Sequence, residues 1–556
     1  SETLSLTDIA TRVEEAKEQS ITETLSLADT ISKEAGIPMS ETLSLTDITT
    51  GVKEIREVEF IETLALTDTI TKSTDISLSE SISLTDRHPS APTNIVAKDH
   101  ETDDVNGFTM IENANAVKVF TIGASTYAIV TSPSDVGDDG VQVIDISDPD
   151  NIVAKDTAVD TAQAHIQLAD AMGVDTFTLT GTYAGTYAIV TAFFDDGVQV
   201  IDISDPTDIR TTDSGHDDSD NPAYTELDAP NDVDIFTIGA KTYAIVASVA
   251  DSGVQVIDVS NPNNIIANGE MNDTGSLELG GANSVDTFTL TGTYAGTYAI
   301  ITGGSDDGIQ IIDISNPSPT QNNLVAKDSA TDGADGFTVL DGPSGVETFT
   351  ITSNSTATYA IVLTSGPDDG IQMIDVSNPT AIVALDAETD GNNGFNIMNA
   401  PGDVDVFTLG TSTYAIVTSI ADDGVQIIDV SNPANIVAVD SLVDSGSLEL
   451  DGANGVDTFV IDGNTYAIVT AKDDNGVQII ELSTETGFSA VKDTRTVELL
   501  ETLSLSDTIS KAAEISMLET ISLTDITTGV KDTRVVELLE ILSLSDTISK
   551  AADIQL

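Results

Sequence analysis

Cysteine and tryptophan are absent from this chain of 556 residues, and only 20 lysines and arginines stand against 93 aspartates and glutamates. Without cysteine there are no disulfides, no thiol nucleophile and no zinc-thiolate site, so the redox compartment cannot be inferred. The formal charge of −73 repels phosphate backbones and anionic lipid head groups alike. We therefore expect no nucleic-acid partner, and divalent cations are the first partners to consider.

Long apolar runs are also missing, although the hydrophobic fraction of 40% is enough for a sizeable core. No stretch of about 18 apolar residues is available to span a bilayer. Salt or bound cations must offset the self-repulsion of so acidic a chain, which favours a saline or Ca²⁺-bearing exterior. The sequence therefore predicts an extracellular or cell-surface protein without direct membrane insertion.

A short motif, E-x-[LI]-x-L-x-D, recurs near both ends of the chain. It begins at Glu2, Glu23, Glu41, Glu62, Glu80, Glu501, Glu519 and Glu540. The spacings alternate between 21 and 18 residues, which makes a double repeat of 39. In the segment 497–509, leucine and other aliphatic residues alternate with serine and threonine, a β-strand pattern. Successive strands form either hairpins or the coils of a solenoid, and the sequence leaves both open.

The gap between Glu80 and Glu501 is 421 residues, or one 21-residue spacing plus 400. A second domain is therefore expected inside a single repeat of what we interpret as a stalk. The predicted boundaries are 1–86 for the first part of the stalk, 87–490 for the inserted domain, and 491–556 for the second part of the stalk.

The two ends of the chain are in phase, because the next repeat after Glu540 is due at position 558, two residues past the end, and Glu2 is the second residue. This phase predicts that copies join through Ser1–Asp8 and Glu540–Leu556, by strand addition or as units of one longer tandem protein. An arbitrary cut in a repetitive chain is the alternative.

The inserted domain is built from a different unit. Its elements are V-[DE]-x-F-T, T-Y-A-I-V, D-D-G-V-Q-V-I-D and [ND]-P-x-x-I-V-A, and the tyrosines of the second element are Tyr127, Tyr187, Tyr243, Tyr298, Tyr359, Tyr414 and Tyr466. Seven units spaced by 52 to 61 residues, each with about four strands, predict an all-β fold with a seven-bladed β-propeller. The last unit lacks its N-P strand, so Asn94–Asp99 is expected to complete that blade.

These units, for example YAIVTAFFDDGVQVIDISDP at 187–206, resemble the LVIVD-repeat β-propellers over about residues 88–490. The resemblance implies a surface or secreted propeller without a shared catalytic centre. The stalk repeats are similar to repeats of large archaeal surface proteins.

Metal binding is the chemistry that the acidic residues suggest. In the propeller, two Asp-rich loops offer hard oxygen ligands suited to Ca²⁺: Asp328, Asp332, Asp335, Asp386 and Asp390. In the stalk, in-register stacking brings Glu501 and Asp507, and likewise Glu519 and Asp525, beside identical carboxylates. Either Ca²⁺ or salt bridges from stalk residues such as Lys511 and Lys531 would relieve the repulsion, and the two are weighted equally. The D-D-G turns themselves are explained by Asp at a tight turn with Gly at positive φ.

No nucleophile elbow, phosphate loop or metallohydrolase motif is present, so we do not expect an enzyme. The leading hypothesis is an extracellular structural subunit of a filament or surface array, joined head to tail through its stalk, with the propeller as a decorating head. The alternative is a surface-displayed adhesion or binding module that uses the acidic propeller face.

Overall fold

A computed structural model describes the backbone of residues 2–11, 19–31, 37–50, 57–70, 75–86, 94–133, 139–160, 167–217, 224–319, 323–351, 357–483, 496–509, 514–525, 535–548 and 553–555. Side chains are described only between residues 95 and 483 of these ranges. The chain divides into two compact units, one formed by 1–91 with 484–556 and the other by 92–483. The first is called the repeat unit and the second the propeller.

The described part of the repeat unit contains only β-strands. In chain order they are Glu2–Thr11, Gln19–Ile31, Ile37–Thr50, Glu57–Ile70, Asp75–Asp86, Thr496–Ile509, Glu514–Asp525, Val535–Ile548 and Asp553–Gln555. Successive strands alternate between two sheets, and every pairing within a sheet is parallel and in register. Parallel neighbours cannot be joined as hairpins. Of the two arrangements left open by the sequence, the strands therefore form solenoid coils, and one coil is the 39-residue double repeat.

The propeller consists of seven four-stranded antiparallel sheets. Blades 1 to 3 are Val117–Ile122, Ser125–Ser132, Gly140–Asp145, Val153–Val159; Ala171–Leu179, Gly185–Ala192, Gly197–Asp202, Arg210–His216; and Pro230–Ile238, Lys241–Ser248, Gly253–Asp258, Ile266–Asn272. Blades 4 and 5 are Ala282–Leu290, Gly296–Gly303, Gly308–Asp313, Val325–Thr331; and Pro343–Ile351, Ala357–Thr364, Gly370–Asp375, Val383–Thr389. Blade 6 is Pro401–Leu409, Ser412–Ser419, Gly424–Asp429, Val437–Val443. Short 3₁₀ turns at Gly181–Tyr183 and Gly292–Tyr294 precede the second strands of blades 2 and 4.

Blade 7 closes the ring with strands from both ends of the propeller. Its three strands Ala453–Ile461, Asn464–Ala471 and Gly476–Ser483 are joined by Asn94–Thr102, which pairs antiparallel with the third. The predicted seven blades and the closing strand at Asn94–Asp99 are both confirmed.

The hydrophobic core lies between adjacent blades. One cluster, for example, packs Val130 and Ile144 of blade 1 against Phe459 and Ile479 of blade 7. The Tyr of each T-Y-A-I-V strand pairs with the Phe of the inner strand, as in Phe236 and Tyr243, whose ring centroids are 5.3 Å apart. The repeated tyrosines are therefore packing residues.

The D-D-G turns differ from expectation in one respect. The residue before the glycine has positive φ, 51° at Asp196 and 53° at Asp423, and Gly197 and Gly424 do not. Glycine is needed for space, because a Cβ on Gly197 would lie 2.6 Å from the carbonyl oxygen of Gly215 on the outer strand. The prediction that glycine supplies the positive φ was therefore wrong, since aspartate itself tolerates this conformation.

We expect Ala97→Pro to lower the melting temperature of the propeller more than Ala154→Pro does. The two alanines occupy the same position of an outer strand, paired with Ile480 and Ile144 respectively, and proline disrupts both ladders. Only Ala97→Pro also opens the ring. Differential scanning calorimetry of the full chain measures both losses, and equal losses would contradict a special role for the closing strand.

Candidate functional site

The two ends of each blade are chemically different. Strand pairing brings the D-D-G turn to the same end as the loop that leads from the outer strand into the next blade, as Ala171, Ala192, Gly197 and His216 of blade 2 show. We call this end the turn face. The [ND]-P turns lie at the opposite end, which we call the N-P face.

Basic residues are concentrated toward the N-P face. Four lysines there lie within 3.0 Å of a carboxylate oxygen: Lys98 with Glu481, Lys155 with Asp145, Lys241 with Asp258, and Lys327 with Asp313. Although burial alone raises the pKa of Asp145, hydrogen bonds from Ser147 and Lys155 bring it below its ordinary value. The same balance lowers the pKa of Asp258 and Asp313. These four ion pairs neutralise part of the acidic charge at this end.

The turn face has the opposite character. Lys472 is the only lysine or arginine of the described blades at this face. Burial, followed by the nearby Asp251, Glu270 and Asp217, raises the pKa of Glu226 to about 8. Burial, followed by neighbouring carboxylates, likewise raises the pKa of Asp228 and of Asp251. The turn face is therefore a concentrated, uncompensated acidic surface.

Many turn-face carboxylates also hold blades together. Asp196 Oδ1 accepts a hydrogen bond from the Ala229 backbone N–H of the next blade at 3.1 Å. An equivalent bond crosses all seven blade boundaries, and its acceptors are Asp139, Asp196, Ser252, Asp307, Asp369, Asp423 and Asn475. The second position of each turn is thus committed to inter-blade contact.

Two of the predicted calcium ligands have structural partners. Asp328 Oδ2 accepts from the Ile382 N–H at 2.8 Å, and Asp386 Oδ2 accepts from the Ile436 N–H at 2.8 Å. Both bonds join an outer strand to the next blade. Blade 3 has Gly269 at this position, so its boundary with blade 4 lacks the bond.

The other three predicted ligands lie in the loops. Asp332 Oδ1 accepts from the Leu340 N–H and Asp390 Oδ1 from the Met398 N–H, each at 3.3 Å. Asp335 is exposed and has a φ of 49°. Within the described residues, no group of three or more histidine, aspartate or glutamate side chains is arranged to hold a metal ion. The five residues are therefore not brought together, and calcium at the propeller stays a prediction.

The predicted stalk ligands can be placed by backbone register alone. Glu501 pairs with Glu62 on one side and Glu540 on the other, and Asp507 with Asp68 and Asp546. Glu519 and Asp525 pair with Glu80 and Asp86 of the second sheet. Neighbouring strands are about 4.8 Å apart, so the expected columns of identical acidic residues run along both sheets.

A ring of charged residues lines the inner strands of the propeller. The V-[DE]-x-F motif places one residue of each blade at the same level, and the seven are Lys118, Asp175, Asp234, Asp286, Glu347, Asp405 and Asp457. Sequence reasoning used this motif only as a strand signal. The single lysine among six acids was the clue that a functional or structural ring exists.

Ring carboxylates bind the backbone of the next blade. Asp286 Oδ2 accepts from the Thr348 N–H at 2.6 Å, and Asp457 Oδ2 from the Val119 N–H at 2.6 Å. Lys118 Nζ lies 3.7 Å from Asp175 Oδ1, and its side chain keeps 42% of its accessible surface. That exposure within a ring of inner strands means that the ammonium faces the central channel. Lys118 is the ring's internal counter-ion.

The ring lacks enough positive charge for its acids. Burial raises the pKa of Asp457 to about 7 and that of Asp286 to about 6, despite Lys118. Burial and the neighbouring Asp286 raise the pKa of Glu347 well above its usual range. Conversely, Asp175 and then Asp457 raise the pKa of Lys118. Protonation of carboxyls and the single lysine together limit the repulsion.

We expect the propeller to be less stable at pH 8 than at pH 5 at fixed ionic strength. The unfolded carboxyls titrate near pH 4, whereas Asp286 and Asp457 titrate at about 6 and 7 when folded. The contribution of these two carboxyls to the stability of the propeller is therefore fully present below about pH 4. It is lost as the pH rises through their folded-state pKa values. Lys118→Met should cost roughly 2 kcal/mol at pH 8, less than a fully buried pair because water enters the channel.

Lys241→Met is the matched control, because its ammonium pairs with Asp258 at the surface and should contribute below about 1 kcal/mol. Chemical denaturation of both variants at the two pH values measures the losses. A loss for Lys118→Met that is equal at pH 5 and pH 8 would contradict the role of the ring.

Among the described residues, no helix has the length and apolar character to cross a membrane. A search of curated proteins gives no match. The chain is similar in fold to a candidate 6-phosphogluconolactonase of Bacteroides fragilis, at 14% identity and a TM-score of 0.44 over 65% of this chain and 92% of that one. A similar protein of Bacteroides uniformis gives 14% identity and 0.43 over 64% and 92%. These similarities carry no information about activity.

A family model gives the sequence-level match. The LVIVD repeat model matches residues 183–212, 242–273, 295–322 and 414–444, which fall in blades 2, 3, 4 and 6. Each match covers the second and third strands and extends to the N-P turn or the outer strand beyond it. Four of the seven blades therefore contain segments that match the LVIVD repeat.

Proposed function

We propose that this protein is an extracellular structural subunit of a filament or cell-surface array, in which the repeat unit makes the contacts between copies and the propeller is a decorating head. The observation that carries the proposal is the unbroken in-register parallel pairing of the repeat unit. Each coil presents the same backbone pattern to the next, so another coil of the same sequence fits at either end.

The strand registers support a specific joint. Among the described residues, Asp553–Gln555 pairs with Glu514–Ser516, which is the start of a longer strand. The following positions, from Glu519 onward, are the register equivalents of Glu2 onward, because Glu2 pairs with Glu41, Glu41 with Glu80 and Glu80 with Glu519. The strand Glu2–Thr11 of a second copy, or of a tandem repeat, would continue that coil in phase.

Strand pairing also supports insertion of the propeller within one repeat. Thr496–Ile509 follows the propeller in the chain and pairs with Glu57–Ile70, which precedes it. Likewise Glu514–Asp525 pairs with Asp75–Asp86. These partners are one coil apart, as in an uninterrupted solenoid. We propose a structural rather than catalytic role, since no catalytic motif accompanies the fold.

A second candidate function is a surface-displayed adhesion or binding module. The distribution of charge favours it, because the turn face has many carboxylates and one lysine, whereas four lysines pair with carboxylates at the N-P face. Such a surface selects cationic partners by charge complementarity. In this role the repeat unit is a spacer.

We expect the full-length variant Ser5→Pro/Ser543→Pro to remain folded in its propeller but to lose filament formation. Both serines lie in edge strands of their sheets. Proline has no backbone N–H, so it removes one hydrogen-bond donor from the strand. The variant Ser5→Thr/Ser543→Thr keeps the strand and is the control. Negative-stain electron microscopy gives the readout, and filaments that persist in the proline variant would assign assembly to the propeller.

We also expect calcium to stabilise the repeat unit through the columns that contain Glu501 and Asp507. Chelation at low ionic strength should lower its melting temperature by several degrees, because neighbouring carboxylates then repel. The variant Glu501→Gln/Asp507→Asn should reduce this effect. If sodium chloride restores the same stability as calcium, screening alone is sufficient and specific sites are not needed.

A further inference from the structure

An exposed aromatic pair lies on the turn face of blade 2. Phe194 is 65% exposed, the highest value for a large hydrophobic residue in the described part of the chain. Its ring meets that of Phe193 edge to face, with centroids 5.6 Å apart. Leaving a phenyl ring in water is unfavourable, so the exposure of this pair suggests that a binding partner covers it.

The turn itself does not require the phenyl groups. Four other blades build the same turn with different pairs at these positions: Val249–Ala250, Gly304–Ser305, Ile420–Ala421 and Lys472–Asp473. In blade 2 the two N–H groups donate to Asp170 and Ala169, and in blade 6 the equivalent N–H groups donate to Ala400 and Asn399. Ile420–Ala421 therefore supports the same backbone geometry without aromatic rings.

Carboxylates lie on the same turn face as the aromatic pair. Asp195 follows Phe194 directly, and its Oδ2 accepts from the Ala169 N–H at 2.9 Å. Asp160 lies close to both Asp195 and Asp139, since burial and then these two charges raise its pKa. No hydrogen bond or ion pair engages the Asp160 side chain among the described residues. A cation at this place would relieve the repulsion.

We infer that Phe193 and Phe194, together with Asp139, Asp160 and Asp195, form a docking site for lysine or arginine side chains of a basic protein segment. The aliphatic stem of such a side chain packs on the exposed ring, and its charge lies over the ring face. The charged head then reaches the carboxylates. This inference rests on the binding role proposed for the turn face.

Other occupants explain fewer of these features. A bare metal ion gains nothing from an exposed phenyl ring. A neutral sugar stacks on aromatic rings but needs no cluster of carboxylates. A side chain with both an apolar stem and a cationic head uses both parts of the site, so we commit to a basic peptide segment.

The test measures binding of a hexa-arginine peptide to the full-length protein by fluorescence anisotropy at low salt. The variant Phe193→Ile/Phe194→Ala installs the turn sequence of blade 6 and should fold normally. We expect it to weaken binding about fivefold or more, the scale of one cation–π contact with its apolar packing. Asp160→Asn should weaken binding similarly.

Asp444→Asn is the matched control, because it removes the same charge from the equivalent position of another blade. Asp160 directly follows the outer strand of blade 1, and Asp444 directly follows the outer strand of blade 6. Its effect should be below twofold. Equal affinity of the wild type and Phe193→Ile/Phe194→Ala would overturn the aromatic site while leaving the acidic face as a binding surface. Absence of any hexa-arginine binding would refute both. Binding of neutral cellohexaose that is lost in the double variant, without peptide binding, would overturn the basic partner.

Discussion

The hydrogen bond from a backbone N–H to an aspartate of the neighbouring blade is the interaction on which the propeller depends. It recurs at three distances from the propeller axis. The acceptors are, for example, Asp286 on an inner strand, Asp196 in a turn of the turn face and Asp328 on an outer strand. Charge-assisted bonds of this kind are stronger than neutral ones. The blades, whose cores already pack together, are thereby fixed in rotation as well.

This construction explains much of the acidity of the propeller. The aspartates that accept these inter-blade bonds satisfy backbone N–H groups that would otherwise be buried without partners. Repetition over seven blades then concentrates negative charge at the channel and the turn face. The chain compensates with few cations, of which Lys118 has the most central place. Stability and charge repulsion therefore come from the same residues.

The sequence predicted most of the fold because a repeated pattern specifies strands, their number and their order. Seven tyrosine-containing units gave seven blades, and the missing strand after Ile480 pointed to Asn94–Asp99. Parallel coils could not be distinguished from hairpins, because both present the same alternation of apolar and polar residues. Only the pairing of Glu2 with Glu41 separates them.

The candidate site was harder to predict. Asp328 and Asp386 have the composition of calcium ligands, yet each meets a backbone N–H supplied by the next blade, more than 45 residues away in sequence. Such contacts depend on how blades pack and not on local spacing. Lys118 was visible as an exception to V-[DE]-x-F, but its meaning required the inner strands to be placed around one channel. Phe194 became notable only when its exposure was known.

The closing strand has a mechanical consequence. Asn94 pairs with Ser483, so the chain enters and leaves the propeller at adjacent positions of one antiparallel pair. Tension on the chain at these two points pulls the strands apart from that end and loads their hydrogen bonds one after another. The force needed to separate the two strands is therefore about the force that breaks one hydrogen bond at a time. Blade 7 opens before the other six blades are stretched.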